Sequence, residues 1–347
     1  MKDSEYSPDL FMDKLYASHR AQPYAQTKNA EEALKVGADI RERAKQLFNL
    51  DALCDISAPF STEKRGEPVD FGSFAMQKYS VRVCENLQTA VYILTPKTVR
   101  QPVPGVVALC GHGYGVRQIL GISGNGRKKH LRYFDNYQKS FALELARRGC
   151  IVAAPELFGF GEARLKKDLA KPFYASSCKE LSHHLLPYSL TTASVRVLQA
   201  IACASLLSEK PEVDTSRLAC MGISGGGLTA LYASVLDERF KRIVVSGYIN
   251  TFRDSILSLW HCPDNYIPGI LSIGEIYDFA CALAPRELLI ESGTRDKIFP
   301  IEASRLAHKK IAEIYSLVGA SDKLHTDVFD GKHQVSGKQA FDFLSGK

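Results

Sequence analysis

A serine between glycines follows a short apolar run, and this arrangement is typical of an activated nucleophile. Residues 218–221 are apolar, Gly222 begins the pattern Gly-x-Ser-x-Gly around Ser224, and small residues at helical spacing follow Gly226. Such a strand turns sharply into a helix and lifts the serine above the sheet. Glycines two positions before and after the serine let strand and helix approach each other. The pattern therefore predicts a nucleophile at Ser224.

The four residues Gly-Ile-Ser-Gly, found at 222–225, occur a second time in the chain, and the context of that second copy differs. Residues 121–124 read Gly-Ile-Ser-Gly, but Asn125 stands where the second spacer glycine is needed. No apolar strand leads directly into this copy, and the basic residues 127–130 follow it instead of a helix face. We interpret this copy, with Ser123, as a polar surface loop.

A serine hydroxyl needs a base to take its proton, and that base needs an orienting acid. His333 follows the last predicted strand, residues 324–329, and Asp296 follows the strand predicted at 287–292. The carboxyl ends of parallel strands lie at one edge of a sheet, and catalytic and binding residues are usually found there. Because Ser224, Asp296 and His333 each follow a different strand, their positions predict a catalytic triad.

Each of these assignments has a structural alternative. Asp296 could cap the helix that follows Pro300, since aspartate is a common capping residue. His333 could be a surface histidine. Asp327 and Asp330 are weaker candidates for the acid, because the first lies within a strand and the second in its exit turn.

A tetrahedral oxyanion also requires preorganised hydrogen-bond donors. We expect the backbone N–H of Gly225, at the start of the helix, to be one of them. The second is predicted to be the N–H of Tyr114, in the glycine-rich loop at residues 111–115. His112, in that loop, is interpreted as a brace for it rather than as a second base.

Substrate contacts are not determined by the pattern, but His112, Trp260 and His261 are the candidates. Residues 260–266 could line the pocket, or they could form an ordinary packed loop. His183 and His184 have no cysteines or carboxylates nearby at ligand spacing, so we predict no metal site.

The pattern of elements predicts an α/β fold with a mostly parallel central sheet and helices on both faces. Strands and helices alternate from about residue 75 onward, which predicts a catalytic domain at 75–347. Residues 1–74 are predicted to form an N-terminal helical extension packed on that domain, with an amphipathic helix at 30–48. The long irregular stretch at 156–187 is expected to be functional or mobile.

Composition excludes several classes of protein. The 347 residues are 45% hydrophobic and 24% charged, with a net charge of +6, as in ordinary soluble proteins. No run of apolar residues is long enough for a membrane span, and the polar start shows no secretory signal. Nine scattered cysteines indicate free thiols in a reducing compartment, so a cytoplasmic protein is expected. We expect no nucleic-acid or membrane partner, and the sequence predicts no particular oligomeric state.

Taken together, these motifs resemble the α/β-hydrolase superfamily, and within it the dienelactone hydrolase-related and acetyl xylan esterase-like group. The resemblance extends from about residue 75 to the C-terminus. It rests on the segments 111–115, 222–227, 293–300, 331–333 and 246–269. It implies hydrolysis of a small-molecule ester by a Ser-His-Asp triad, without a cofactor.

Two departures from that group narrow the expected substrate. Dienelactone hydrolases use a cysteine nucleophile, whereas Ser224 stands here, which favours carboxylic esters. The expected cytoplasmic location favours a small acylated sugar or another short-chain ester over polymeric xylan. An amide-directed hydrolase similar to the prolyl-oligopeptidase side of the superfamily remains an alternative, as does a non-catalytic binding protein.

Overall fold

The computed structural model describes residues 6–53, 61–122 and 136–346. Ser123 of the second glycine motif and the basic residues 127–130 lie outside the described residues. Their predicted surface loop therefore stays a prediction.

One sheet organises the described part of the chain. Its nine strands are β1 (Ser61–Asp70), β2 (Phe74–Cys84), β3 (Leu87–Pro96), β4 (Val103–Leu109), β5 (Ile151–Pro155), β6 (Val213–Ile223), β7 (Arg242–Ser246), β8 (Glu287–Gly293) and β9 (Leu324–Phe329). They lie in the order β1-β2-β3-β5-β4-β6-β7-β8-β9. Strands β5, β4, β6, β7, β8 and β9 pair in parallel, whereas β1, β2 and β3 pair antiparallel at one edge. The mostly parallel sheet predicted from the sequence is therefore confirmed.

The central strands are short apolar runs because helices cover both of their faces. In β7, for example, Ile243, Val244 and Val245 are all fully buried. The helices are α1 (Asp9–His19), α2 (Ala30–Phe48), α3 (Arg117–Leu120), α4 (Phe141–Arg147), α5 (Cys178–Leu185), α6 (Thr192–Ser208), α7 (Gly225–Leu236), α8 (Ile276–Cys281), α9 (Ile301–Leu317) and α10 (Ala340–Ser345). Helices α4 and α10 pack together, while α2, α6, α7, α8 and α9 form a second connected group.

The N-terminal segment contains the predicted helix and a strand that was not predicted. Helix α2 begins after Asn29, whose side chain accepts a hydrogen bond from the Glu32 N–H, and it buries Ile40 and Phe48 against the other helices. Strand β1 pairs with β2 at the sheet edge. Nine of its ten residues are exposed, so it lacks the alternation by which a half-buried strand is recognised. The domain boundary at residue 75 stays a prediction.

The irregular stretch predicted at 156–187 contains helix α5 at its end and short 3₁₀ turns before it. Within the described residues, no single helix is long and apolar enough to cross a membrane. The segments 178–188 and 192–208 meet that criterion only when they are taken together, across a bend of 98°.

Candidate active site

Ser224 lies at the turn between β6 and α7 in a backbone conformation that side chains rarely adopt. Its φ is 56° and its ψ is −122°, and its N–H donates to the carbonyl of Ser246 at 3.0 Å. A Cβ at Gly222 would lie 2.0 Å from the Gly226 oxygen, and one at Gly226 would lie 2.1 Å from the Leu109 oxygen. The two glycines are therefore required by the close approach of strand and helix.

His333 and Asp296 form a direct pair. His333 Nδ1 lies 2.7 Å from Asp296 Oδ2, and the Asp296 side chain is nearly inaccessible. The other oxygen, Oδ1, accepts hydrogen bonds from the N–H groups of Ile298 and Phe299 at 2.8 and 3.0 Å. Asp296 therefore fixes its own turn, as a capping residue would, while its second oxygen stays directed at the imidazole.

Two glycines allow the loops that carry this pair to meet. A Cβ at Gly293 would lie 2.5 Å from the Lys332 oxygen, so only glycine lets the two loops touch. The Arg295 N–H then donates to the Gly331 carbonyl at 2.8 Å. Gly247 has a φ of +54°, and a Cβ there would lie 3.2 Å from the His333 ring.

Two aromatic rings stack on the His333 ring. Tyr137 stacks on it at a centroid distance of 5.8 Å, and Phe299 stacks at 5.6 Å. Both rings are within about 20° of parallel to the imidazole. Together with the contact to Asp296, these two stacking contacts restrain the plane of the ring and thus the direction of Nε2.

The other two acids considered from the sequence are engaged elsewhere. Asp327 Oδ2 accepts a hydrogen bond from the Ser336 hydroxyl at 2.6 Å. Asp330 is exposed and pairs with Arg295 at 2.8 Å. The structure thus pairs His333 with Asp296 among the three candidates.

A cavity of about 520 Å³ contains the serine and the histidine. This volume is within the range typical of small-molecule sites. Its lining residues are His112, Tyr137, Ser224, Leu259, Trp260, His261, Cys262, Asn265, Ile298 and His333. The three substrate-binding candidates, His112, Trp260 and His261, therefore all border the cavity that holds Ser224.

The two predicted oxyanion donors occupy the expected elements. Gly225 is the first residue of α7, and the His112 ring packs so close that a Cβ at Gly225 would lie 3.0 Å from it. Tyr114 lies in the loop between β4 and α3, and its ring meets Tyr174 edge to face at 6.0 Å. The Tyr114 side chain is exposed and is not part of the cavity lining, so any contribution comes from its backbone.

Three side chains, from Gln138, Tyr137 and Glu156, hold the loop at residues 111–115 in place. The Gly111 N–H donates to Gln138 Oε1 at 2.8 Å, and the Tyr137 hydroxyl donates to the His112 carbonyl at 2.5 Å. At the far end of the loop, the Val116 N–H donates to Glu156 Oε1 at 3.0 Å. Glu156 directly follows β5 and is completely buried.

Burial raises the pKa of Glu156 to about 7, against partial compensation by backbone N–H groups. The folded state thus holds this proton at a pH where the unfolded chain, with the ordinary value of 4.5, has released it. The stabilisation by the protonated form is complete below about pH 4.5 and disappears as the pH rises through about 7. We expect Glu156→Gln, which does not titrate, to gain about 2–3 kcal/mol over wild type between pH 5 and pH 8.

Urea unfolding of both proteins at several pH values measures that difference. Glu302→Gln is the matched control, because Glu302 is solvent-exposed on the first turn of α9. Its difference from wild type should stay small at each pH. If the free energy difference of Glu156→Gln were the same at pH 5 and pH 8, the buried carboxyl would not hold its proton in the folded state.

A buried polar cluster borders the cavity behind His112. His112 Nε2 lies 2.7 Å from Asp264 Oδ2, and Arg196 donates to the same oxygen at 2.6 Å. Burial alone would lower the pKa of His112, but the facing Asp264 carboxylate raises it. Arg196 also donates to the Phe158 carbonyl and to Cys178 Sγ. The cluster therefore joins the 111–115 loop, α6 and the segment around Asp264.

The same cluster contains a set of atoms whose types suit a metal ion. Donor atoms of His112, Cys178, Cys262 and Asp264 lie within 4.8 Å of one another. However, the buried Arg196 guanidinium contacts both Asp264 and Cys178, so a positive charge already faces the anionic donors. His183 and His184 lie on exposed positions of α5 and are not part of this cluster.

Trp260 and His261 border the cavity in different ways. Trp260 is 93% exposed, which is unusual for so large an apolar ring. His261 is half-buried, its ring lies 6.0 Å from that of Phe299, and burial lowers its pKa.

The contacts that several residues make around the candidate site were not predicted from the sequence. Tyr137 and Gly247 contact the His333 ring, and Arg196 and Asp264 hold His112. A glycine directly after the β7 strand was the only available signal for Gly247. Arg196 had a weaker signal, since it is a charge inside the otherwise apolar pattern of α6.

A family model and a curated protein match parts of this chain. A family model described as "Prolyl oligopeptidase family" matches residues 189–254, a stretch that includes Ser224 but neither Asp296 nor His333. The chain is 23% identical over 295 residues to "Putative hydrolase YtaP" of Bacillus subtilis, covering 81% of this chain and 89% of that protein.

Similar solved structures cover nearly the whole chain. A protein from Bacteroides fragilis, titled a "putative acetyl xylan esterase", has a TM-score of 0.80 at 14% identity, covering 99% of this chain and 91% of the other. A glucuronoyl esterase from Solibacter usitatus has a TM-score of 0.64 at 13% identity, with 91% and 93% covered. The fold expected from the motifs is confirmed, as are the resemblance to α/β-hydrolases of the acetyl xylan esterase-like kind and the assignment to a class of hydrolytic enzymes. The dienelactone hydrolase part of the resemblance stays a prediction.

Proposed function

We propose that this α/β-hydrolase is a serine carboxylesterase that cleaves short-chain esters through Ser224, His333 and Asp296. One observation carries the proposal. His333 Nδ1 is bound to the buried Asp296 at 2.7 Å, while the ring borders the same cavity as Ser224. A carboxylate on Nδ1 keeps the proton there and leaves Nε2 as the base.

The reaction proceeds in two halves. His333 takes the proton of the Ser224 hydroxyl as its oxygen attacks the acyl carbonyl, and the N–H groups of Gly225 and Tyr114 stabilise the oxyanion. Collapse of this intermediate expels the alcohol, which receives the proton from His333 and leaves an acyl-enzyme. His333 then activates water, which releases the acid and regenerates Ser224.

We propose an acetylated sugar or a similarly small ester as the substrate. An exposed Trp260 at the border of the cavity offers a flat apolar face on which a sugar ring can pack. The cavity volume of about 520 Å³ suits a small molecule. Acetyl xylan and glucuronoyl esterases among the structural neighbours support the same substrate class.

An amide substrate is the second candidate, and the matching family model favours it because that family is named for a peptidase. The two are separated by matched p-nitrophenyl acetate and p-nitroacetanilide, followed by esters of increasing acyl length. We expect turnover of the acetate ester and none of the anilide. A fluorophosphonate should label Ser224; a protein that is neither labelled nor active would be a non-catalytic member of the fold.

Replacing Trp260 by alanine tests the sugar contact. We expect KM for an acetylated xylo-oligosaccharide to rise about tenfold, while kcat/KM for p-nitrophenyl acetate changes by less than about twofold. The acetate probe has no sugar ring, so it loses nothing when the indole is removed.

Trp260 is the only tryptophan in the chain, so intrinsic fluorescence reports on this residue directly. Titration of an inactive Ser224→Ala protein with the oligosaccharide should change the emission. Tyr188→Ala is the matched control, because Tyr188 is 71% exposed but does not border the cavity. Equal effects of both aromatic substitutions would contradict a specific platform at Trp260.

A further inference from the structure

Two cysteines meet at the border of the catalytic cavity. Cys178 begins α5, and Cys262 precedes the 3₁₀ turn at Pro263–Asn265. The two cysteines are separated by 83 residues in the sequence, and only folding brings them together. Their sulfur atoms lie within 4.8 Å of each other. Among the cysteines of the described residues, Cys262 alone is partly exposed, and it borders the cavity that holds Ser224.

We propose that Cys178 and Cys262 form a dithiol that peroxide oxidises to a disulfide, and that this disulfide slows the enzyme. The slowing of catalysis rests on the esterase function proposed above, whereas formation of the disulfide does not. A disulfide requires a sulfur separation of about 2 Å, so the segment carrying Cys262 must move toward α5 by less than 3 Å or so.

The environment activates one of the two sulfurs. Burial alone would raise the pKa of Cys178, but a hydrogen bond from the Cys262 thiol and the charge of Arg196 lower it to about 7. Arg196 donates to Cys178 Sγ at 2.9 Å. The pair therefore shares one proton near neutral pH, and the thiolate is the form that reacts with peroxide.

The oxidation balances with hydrogen peroxide as the oxidant. The Cys178 thiolate, which lies beside the cavity-lining Cys262, attacks one peroxide oxygen and breaks the O–O bond. This gives a sulfenic acid on Cys178 and a hydroxide ion. The Cys262 sulfur then attacks the sulfenic sulfur; the S–S bond forms, the S–O bond breaks, and the leaving hydroxide takes the Cys262 proton as water. The two sulfurs lose two electrons and the peroxide gains them.

Formation of the disulfide would displace cavity residues that are close neighbours of Cys262 in the sequence. Cys262 follows the cavity residues Trp260 and His261, and Asp264, two positions further on, holds His112. The Arg196 contact to a thiolate is also lost when Cys178 becomes a disulfide. We expect a shift of this segment to lower kcat/KM about tenfold, since a displacement near 1 Å at reacting groups can cost more than that.

The test compares the full chain before and after hydrogen peroxide, and again after dithiothreitol. Peptide mass spectrometry should find a peptide cross-linked between Cys178 and Cys262, two hydrogens lighter than the separate thiols. The ratio of esterase activity after and before peroxide should fall to about 0.1 and recover with dithiothreitol. Cys262→Ser should form no cross-link and keep a ratio near one, while Cys84→Ser, a buried cysteine on β2, should behave as wild type.

The outcomes separate this proposal from the proposed function. Loss of activity without the cross-linked peptide, or a cross-link with unchanged activity, overturns the switch. A zinc ion bound stoichiometrically in freshly purified protein and absent from Cys262→Ser overturns it in favour of a metal centre. A chain with no activity on any ester contradicts the proposed function, and the mass measurement still decides whether the dithiol oxidises.

Discussion

Ser224→Ala is expected to lower kcat/KM for p-nitrophenyl acetate by roughly 10⁴- to 10⁶-fold while the protein stays folded. The substitution removes only the hydroxyl group, whose oxygen forms the acyl-enzyme in the proposed mechanism. Alanine keeps a Cβ, so the strained turn at φ 56° is neither relieved nor worsened, and stability should change little. Steady-state kinetics measure the activity, and thermal unfolding shows that the fold is intact.

The matched control for this variant is Ser123→Ala. Ser123 occurs in the second copy of the letters Gly-Ile-Ser-Gly, which lacks the second spacer glycine. We expect its activity to stay within about twofold of wild type, since nothing in the sequence predicts a nucleophile there. If Ser224→Ala kept its activity and the control variant lost it, the nucleophile would be misassigned.

Asp296→Asn is expected to lower kcat by about 10³- to 10⁴-fold and to leave the fold intact. The amide can keep Oδ1 as the acceptor for Ile298 and Phe299, so the turn remains. It then presents an NH₂ group to His333 Nδ1, which favours the tautomer with the proton on Nε2. That histidine cannot take the proton from Ser224.

Two other acids near the C-terminus provide controls for this position. Asp330→Asn removes an exposed carboxylate whose partner is Arg295, so kcat should change by less than about twofold. Asp327→Asn weakens a buried contact to the Ser336 hydroxyl and should mainly affect stability. A large loss of kcat in Asp330→Asn together with an active Asp296→Asn would show that another acid orients His333.

The sequence was sufficient where a residue's role depends on its immediate neighbours. Gly222 is required by its contact with Gly226, four positions along the chain, and the whole elbow motif lies within residues 222–226, so it could be recognised from the sequence. Continuous apolar runs identified the central strands because both faces of the sheet are covered. The order of strands and loops then placed Asp296 and His333 at the same edge as Ser224.

Strand β1 and helix α5 were not predicted, and the reason is their weak hydrophobic pattern. Strand β1 lies exposed at the sheet edge, so it has no buried face that would select apolar residues. Helix α5 has only eight residues, and few of them are buried. Short or exposed elements are held by their neighbours, and the information lies in those neighbours rather than in the segment itself.

Only the tertiary structure determined what surrounds the reacting groups. The stacking of Tyr137 on His333 joins positions 196 residues apart, and the pair of Arg196 and Asp264 joins positions 68 apart. No local pattern selects such partners, because any loop of the right length could supply them. The sequence thus determined the fold and predicted a serine, acid and histidine at one edge of the sheet. Packing between distant loops determined the direction of the imidazole, the charge around His112 and the meeting of Cys178 with Cys262.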